Sequence, residues 1–240
     1  QRGDNVDDAK KRITMDKEIF DGIKEECSFI FDATQPLDDM MKDILNKLSM
    51  YNKDVYLTTG KNIIHPFAPR MEELDINEIA HALSMNCRYN GHCNKFYSVA
   101  SHSIAVVKEL QRKGYSSEIQ LIGLLHDASE AYICDIPRPL KPFLTNYHII
   151  EKNLQDLIYL KFTGGIPCDI DRSIINKVDI DIYYRECELF VDNPFWLDEE
   201  GYELDKDVIN PEADEPQTAE EKFLEHYNRL VNECNKNKEQ

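Results

Sequence analysis

The chain has 240 residues, of which 42% are hydrophobic and 10% aromatic, a composition that excludes an intrinsically disordered protein. Its formal charge of −17 argues against a nucleic-acid polymer as partner, because nucleic-acid phosphates bind basic surfaces. No apolar run approaches the roughly 18 residues that a membrane-spanning helix needs, so neither a membrane segment nor a signal peptide is expected.

The cysteines favour a reduced protein. Seven of them are scattered along the chain, and none forms a C-x-x-C pair. An odd number at irregular spacing is typical of neither a disulfide framework nor a structural zinc site. We therefore expect free thiols and a cytoplasmic location.

The first part of the chain predicts two helices followed by a hairpin. The amphipathic helices are predicted at residues 15–30 and 37–50, with Pro36 between them. Short apolar runs at residues 55–57 and 62–64 surround a Thr-Thr-Gly-Lys turn, which predicts a minor β-hairpin.

Apolar periodicity predicts six further helices. Asp75 is predicted to cap the first of them, and Gly114 to end the second. Another helix is predicted to start near Ser117, to carry His126 and to stop before Pro137. The other five are predicted at residues 76–85, 98–113, 141–162, 169–191 and 218–235.

Together these elements predict an all-α fold, a helical bundle with one minor hairpin. We expect an N-terminal helical extension (residues 1–54) and a main domain (residues 55–240) that includes an acidic loop at residues 198–217. Residues 198–221 hold eleven acidic side chains against a single lysine. The extension and the loop are interpreted as oligomer contacts, a specificity lid or solvated additions.

One stretch, residues 121–141, places charged side chains inside an apolar helical pattern. His126 and Asp127 are adjacent, and Glu130 follows His126 by four residues, so His126 and Glu130 would share one face of a continuous helix. Unpaired charges inside a core are costly. A divalent metal ion is the simplest group that would neutralise them.

Three other positions complete a candidate site. His102 lies on the preceding predicted helix, Asp179 on a later one, and Arg88 in the loop before His102. Two histidines and two carboxylates would bind a first-row divalent ion and leave positions open for water and substrate. Asp171 and Asp181 compete with Asp179 for the fourth position.

The sequence around these residues resembles the HD superfamily of metal-dependent phosphohydrolases. The block HDASE, followed by D-I-P-x-P-x-K, is similar to the bacterial and phage 5′-deoxynucleotidases, and segments between Thr58 and Ala100 resemble the phage-type members. The resemblance covers roughly residues 56–232. The segments that carry it are SVASHS at residues 98–103, the block at residues 126–141, and Asp179 with Glu186.

The resemblance implies a role for each candidate residue. Glu130 would orient or deprotonate the attacking water, Arg88 would clamp the phosphate, and Asp135 would position the sugar or assist the leaving oxygen. Lys141 would be a second cation for the substrate, and Tyr89 would stack on a base or belong to the aromatic core. The implied metal ligands are His102, His126, Asp127 and Asp179.

The resemblance also implies a helical fold and a reaction. The expected activity is metal-dependent hydrolysis of deoxyribonucleoside 5′-monophosphates to deoxynucleoside and phosphate, in the host cytoplasm if a phage encodes the chain. The alternatives are a dNTP triphosphohydrolase, a cyclic-nucleotide phosphodiesterase and a non-catalytic nucleotide-binding or interaction protein. Family members commonly pair, so a homodimer is expected.

The expected cofactor is one divalent ion per chain, which would be Mn, Co, Mg, Fe, Ni or Zn. Family members that use two metals carry additional histidines after the HD pair, often with lysine where this chain has Glu130. Between Asp127 and Asp179 this chain has only His148.

Overall fold

The computed structural model describes residues 57–60, 62–192 and 205–238, all within one compact unit of residues 55–240. The predicted helices at residues 15–30 and 37–50 and the first part of the acidic loop lie outside the described residues. The division into an extension (residues 1–54) and a main domain therefore stays a prediction.

The described chain is mostly helical with one two-stranded hairpin, as predicted. Strand β1 (Leu57–Thr58) pairs antiparallel with β2 (Ile63–Ile64). In the described residues, no helix combines the length and apolar character that a bilayer crossing requires. The helices are α1 (Ile76–Met85), α2 (Val99–Arg112), α3 (Ser117–Leu124), α4 (Glu130–Ile133), α5 (Thr145–Phe162), α6 (Asp169–Phe190) and α7 (Pro216–Lys238).

Polar caps and a glycine set the ends of two helices close to the predicted positions. The carboxylate of Asp75 accepts a hydrogen bond from the backbone N–H of Asn77 at 2.7 Å, which satisfies a free donor at the start of α1. The hydroxyl of Ser98 accepts one from the N–H of Ser101 at 3.1 Å and so caps α2. After α2, Gly114 adopts φ +78°, a left-handed conformation that costs glycine little.

Two apolar clusters hold the helices together. The larger one lies among α1, α2, α3, α5 and α7. The smaller one joins α2 to α6 and therefore decides which side chains of these two helices meet. The residues at its centre are Val106, Leu110, Val178 and Ile182.

The helix predicted across His126 is interrupted, and the prediction of one continuous helix is wrong. Helix α3 ends at Leu124, and residues 125–129 form turns before α4 begins. The ring of His126 donates from Nδ1 to the carbonyl oxygen of Gly123 at 2.8 Å. That carbonyl would accept from the N–H of Asp127 in a continued α-helix, so the side chain competes with the backbone.

A partly buried histidine on α7, His226, makes stability depend on pH. Burial lowers the pKa of His226 to about 4, with help from the charges of Arg229, Lys108 and Lys222. Because the unfolded chain binds this proton near pH 6.5, the free energy of unfolding should fall as the pH drops from about 6.5 to about 4. We expect a loss on the order of 1 kcal/mol, after allowance for solvent screening of the partly exposed ring.

Urea unfolding of the wild type and of His226→Gln at a series of pH values would measure this contribution. The variant should lose less stability than the wild type over the same acidic range, because its amide does not titrate. Equal losses in both proteins would contradict the prediction.

Candidate metal centre

His102 is fully buried and lies at the centre of a cluster of candidate ligands whose other members are partly accessible. Its Nε2 atom is 3.3 Å from Nε2 of His126, 3.1 Å from Oδ1 of Asp179 and 3.7 Å from Oδ2 of Asp127. These side chains come from α2, from the turn after α3 and from α6. All four predicted ligands are therefore close together.

Three of the four residues form a group that can hold a metal ion. One ligand atom from each of His102, His126 and Asp127 lies within 4.8 Å of the others. Among the candidates for a further carboxylate, Asp179 reaches the cluster. Asp181 instead lies 3.6 Å from Lys113, and Asp171 accepts a hydrogen bond from the N–H at the start of α6.

The cluster attracts positive charge. Burial lowers the pKa of His126, but the carboxylates of Asp127 and Asp179 raise it more, to well above its usual range. Burial raises the pKa of Asp127, but His126 lowers it more. A divalent cation bound here would replace the protons that these groups attract. The mixed imidazole and carboxylate set fits such an ion.

The second nitrogen of each imidazole is already engaged. Nδ1 of His126 donates to the Gly123 carbonyl, and Nδ1 of His102 lies 2.6 Å from Oε1 of Glu186. With a proton on each Nδ1, both Nε2 atoms present lone pairs to the centre, as metal ligands do.

Glu186 received no role from the sequence, although it belongs to the resemblance. It is fully buried. Burial raises the pKa of its carboxyl, but Arg88 and His102 lower it more, so Glu186 is ionised. The signal that could have pointed to Glu186 was its spacing from Asp179. Seven residues correspond to about two helical turns, so the two side chains lie on the same face of α6.

A cavity of about 200 Å³ opens beside the cluster. Asp127 and Asp179 belong both to its wall and to the cluster, so the candidate metal position adjoins the cavity. Six lining residues were not named as site residues from the sequence, which are Asn90, Ile136, Pro137, Arg138, Pro139 and Tyr183. The predicted site residues in the wall are Arg88, Tyr89, Asp127, Glu130, Asp135, Lys141 and Asp179.

Arg88 reaches this cavity from a tight turn. The turn spans Arg88–Gly91 and holds Tyr89 and Asn90 at φ 59° and 51°, conformations that cost energy for residues other than glycine. Nη1 of Arg88 is 3.7 Å from Oδ2 of Asp127, and Nε is 3.2 Å from Oε2 of Glu186. The guanidinium is thus held by charge at the cavity wall.

Tyr89 has a supporting contact as well as a place in the wall. Its hydroxyl donates to Oε2 of Glu186 at 2.8 Å, and its ring centre is 6.5 Å from that of Tyr183. The side chain is half-buried. Tyr89 therefore braces the buried carboxylate while part of its surface remains in the cavity.

Glu130 is a buried carboxylate with an unengaged oxygen. Its Oε1 is 3.4 Å from Nζ of Lys141, and its buried Oε2 has no hydrogen-bond partner among the described residues. Burial, Asp127 and Asp135 raise the pKa of Glu130 well above its usual range, although Lys141 opposes them. A raised pKa makes the carboxylate of Glu130 a stronger base, as a group that accepts a proton from water requires.

Arg138 is the cation at the edge of the candidate ligand set. Its Nη2 donates to Oδ2 of Asp179 at 3.2 Å, and its guanidinium lies 5.7 Å from the centre of the Tyr183 ring. Arg138 therefore fixes the orientation of Asp179, so that the other carboxylate oxygen faces His102.

Comparison with known proteins gives relatives without an assigned activity. No family model matches the chain. It is 40% identical over 96 residues to the uncharacterized protein YfdR of Escherichia coli K12, and the matched segment covers 40% of this chain and 50% of YfdR. It is 31% identical over 113 residues to an uncharacterized protein of Rhodobacter capsulatus, and the matched segment covers 44% of this chain and 58% of that protein. The chain thus spans about half the length of the curated relatives it matches.

Proposed function

We propose that the chain is a metal-dependent phosphohydrolase of the HD type, which converts deoxyribonucleoside 5′-monophosphates and water to deoxynucleosides and phosphate. The observation that carries the proposal is the meeting of His102, His126, Asp127 and Asp179 beside one cavity. The similarity of the HDASE and D-I-P-x-P-x-K segments to 5′-deoxynucleotidases supports the substrate class. The homodimer and the cytoplasmic location belong to the same proposal.

The four residues would hold one divalent ion, for which Mn, Co, Mg, Fe, Ni and Zn are candidates. Such an ion, when bound, lowers the pKa of a coordinated water and neutralises phosphoryl oxygens. Asp127 and Asp179 are partly accessible from the cavity, whereas His102 is fully buried. Substrate would therefore approach from the side of the two carboxylates.

Side chains in the cavity wall would perform the remaining steps. Arg88 would bind two phosphate oxygens through its planar guanidinium, which suits bidentate contacts. Glu130 would accept a proton from the attacking water as the bond from phosphorus to the 5′ oxygen breaks. That oxygen would take up a proton from solvent water or from the protonated Glu130 and so become the 5′ hydroxyl, and Asp135 would position the sugar that carries it.

The charge of the cavity wall favours a substrate with one phosphate. With a divalent ion present, the charged side chains leave a net charge of about plus one, or about plus two when Glu130 is protonated. The two negative charges of a phosphate monoester are close in magnitude to this positive charge, whereas a triphosphate carries about four negative charges. The charged wall residues are the cations Arg88, Arg138 and Lys141 and the acids Asp127, Glu130, Asp135 and Asp179.

Arg88→Lys should weaken substrate use without removing the metal. A lysine has a single ammonium group, which would either pair with Glu186 or reach the phosphate, whereas the arginine fork serves both. We expect kcat/KM to fall about 10- to 100-fold, equivalent to the loss of one charged hydrogen bond. Steady-state kinetics would measure this effect, with Arg172→Lys, on the surface beside Asp156, as control. An unchanged kcat/KM in Arg88→Lys would remove Arg88 from the substrate site.

Product analysis tests the reaction itself. Protein stripped with EDTA would be supplied with Mn, Co or Mg and then assayed for phosphate release from the four dNMPs, the matching NMPs and the dNTPs. Metal-dependent phosphate from dNMPs, with little from NMPs, would support the proposal. Tripolyphosphate from a dNTP would replace it with a triphosphohydrolase. Retained nucleotide without turnover in any metal would indicate a non-catalytic nucleotide-binding protein.

A further inference from the structure

The carboxylate of Glu186 contacts both halves of the proposed site. Its Oε1 lies 2.6 Å from Nδ1 of His102 and accepts a hydrogen bond from the hydroxyl of Tyr97 at 2.8 Å. Its Oε2 accepts a hydrogen bond from the hydroxyl of Tyr89 at 2.8 Å and lies 3.2 Å from Nε of Arg88. One buried group thus joins a candidate metal ligand to the candidate phosphate clamp.

We propose that Glu186 is a positioning residue that sets the tautomer of His102 and, at the same time, holds Arg88 in the cavity wall. This inference rests on the metal centre of the proposed function. Both oxygens of Glu186 face donors, because Oε1 accepts from the hydroxyl of Tyr97 and Oε2 accepts from that of Tyr89 beside Nε–H of Arg88. Glu186 therefore acts as an acceptor, and the neighbouring Nδ1 of His102 carries the proton. The lone pair of His102 then lies on Nε2, which is the nitrogen that faces the cluster.

The arrangement of α2 and α6 supports a positioning role. Asp179 and Glu186 lie two turns apart on α6, and both contact the ring of His102, one at each nitrogen. The apolar contacts of Val178 and Ile182 against α2 hold these two contacts in register. Burying a carboxylate in a core costs free energy. Glu186 is such a carboxylate, and it contacts two residues of the candidate site, His102 and Arg88.

Glu186→Gln separates this role from simple packing, because glutamine has nearly the same shape. If the amide NH₂ group replaces Oε1, it donates to Nδ1 of His102, which moves the ring proton to Nε2 and blocks the metal position. If the NH₂ group replaces Oε2, it faces Nε–H of Arg88, which cannot become an acceptor. An imidazole can exchange tautomers and a guanidinium cannot, so we expect the first orientation.

Zinc binding to EDTA-stripped protein would measure the effect by calorimetry, without any nucleotide. We expect Glu186→Gln to lower zinc affinity about 10- to 100-fold, as changes in residues that orient metal ligands do. Tyr97→Phe is the matched control, because it removes a hydroxyl from the same Oε1 but leaves the acceptor for Nδ1. Its zinc affinity should stay within about threefold of the wild type. Equal affinities in the wild type and Glu186→Gln would overturn the proposal.

The tautomer is measured directly by nitrogen-15 NMR of the zinc-loaded wild type. We expect a proton on Nδ1 of His102 and none on Nε2. The resonance of the Nδ1 proton should lie far downfield, because this proton faces a carboxylate. A wild-type spectrum without that proton would overturn the proposal, even if Glu186→Gln did not fold. Zinc binding without hydrolysis of any nucleotide would overturn the proposed reaction alone, whereas a wild type that binds neither zinc nor any other candidate ion would overturn both.

Discussion

Asp127→Asn should abolish metal-dependent phosphate release and lower kcat on the order of 10³-fold or more, because the reaction needs the bound ion. Oδ2 of Asp127 lies 3.2 Å from Nε2 of His126 and 3.7 Å from Nε2 of His102. Asparagine keeps the size of the side chain but removes the negative charge that draws a cation to the two imidazoles. Its amide group would also offer hydrogen atoms where a ligand oxygen is needed.

Metal content after dialysis, measured by mass spectrometry alongside phosphate release, would test this expectation. Asp171→Asn is the matched control, since Asp171 competed for the same role in the sequence but caps the start of α6. The control should keep its metal and its turnover, with some loss of stability from the weakened cap. An active, metal-loaded Asp127→Asn protein would disprove the proposed centre.

Glu130→Gln should lower kcat by about 10²- to 10⁴-fold, the usual contribution of a general base, while metal affinity stays unchanged. Glutamine fills the same space but cannot accept the proton of the attacking water. The unengaged oxygen of Glu130 is buried at the cavity wall, and Glu130 is not among the three residues that group around the metal position. A loss of turnover without loss of metal is therefore the expected signature.

The pH profile gives this prediction a second readout. Burial and the neighbouring carboxylates of Asp127 and Asp135 raise the pKa of Glu130, and a general base acts in its deprotonated form. The wild-type rate should therefore increase with pH through this raised pKa, and the increase should be absent from the residual rate of Glu130→Gln. Glu151→Gln, which removes the other carboxylate on Lys141, should keep the wild-type profile. An unchanged profile in Glu130→Gln would assign proton transfer to another group.

Local sequence patterns determined the elements of this fold. Apolar periodicity, the Asp75 cap and Gly114 are signals within a few residues of the structure that they specify, so α1 and α2 lie close to their predicted ranges. The same local signals singled out His102, His126 and Asp127, which the fold brings together. Where a side chain competed with the backbone, as His126 does for the Gly123 carbonyl, periodicity predicted a helix that is interrupted.

The sequence favoured Asp179 over Asp171 and Asp181 for the fourth position, and only the tertiary structure places its carboxylate 3.1 Å from His102. These residues share one helix, and their directions depend on how α6 rotates when its apolar residues pack against α2. The same packing brings Glu186 to His102, 84 residues away in sequence. Contacts over such distances arise because apolar faces are buried against each other, and a pattern confined to one helix does not specify its partner.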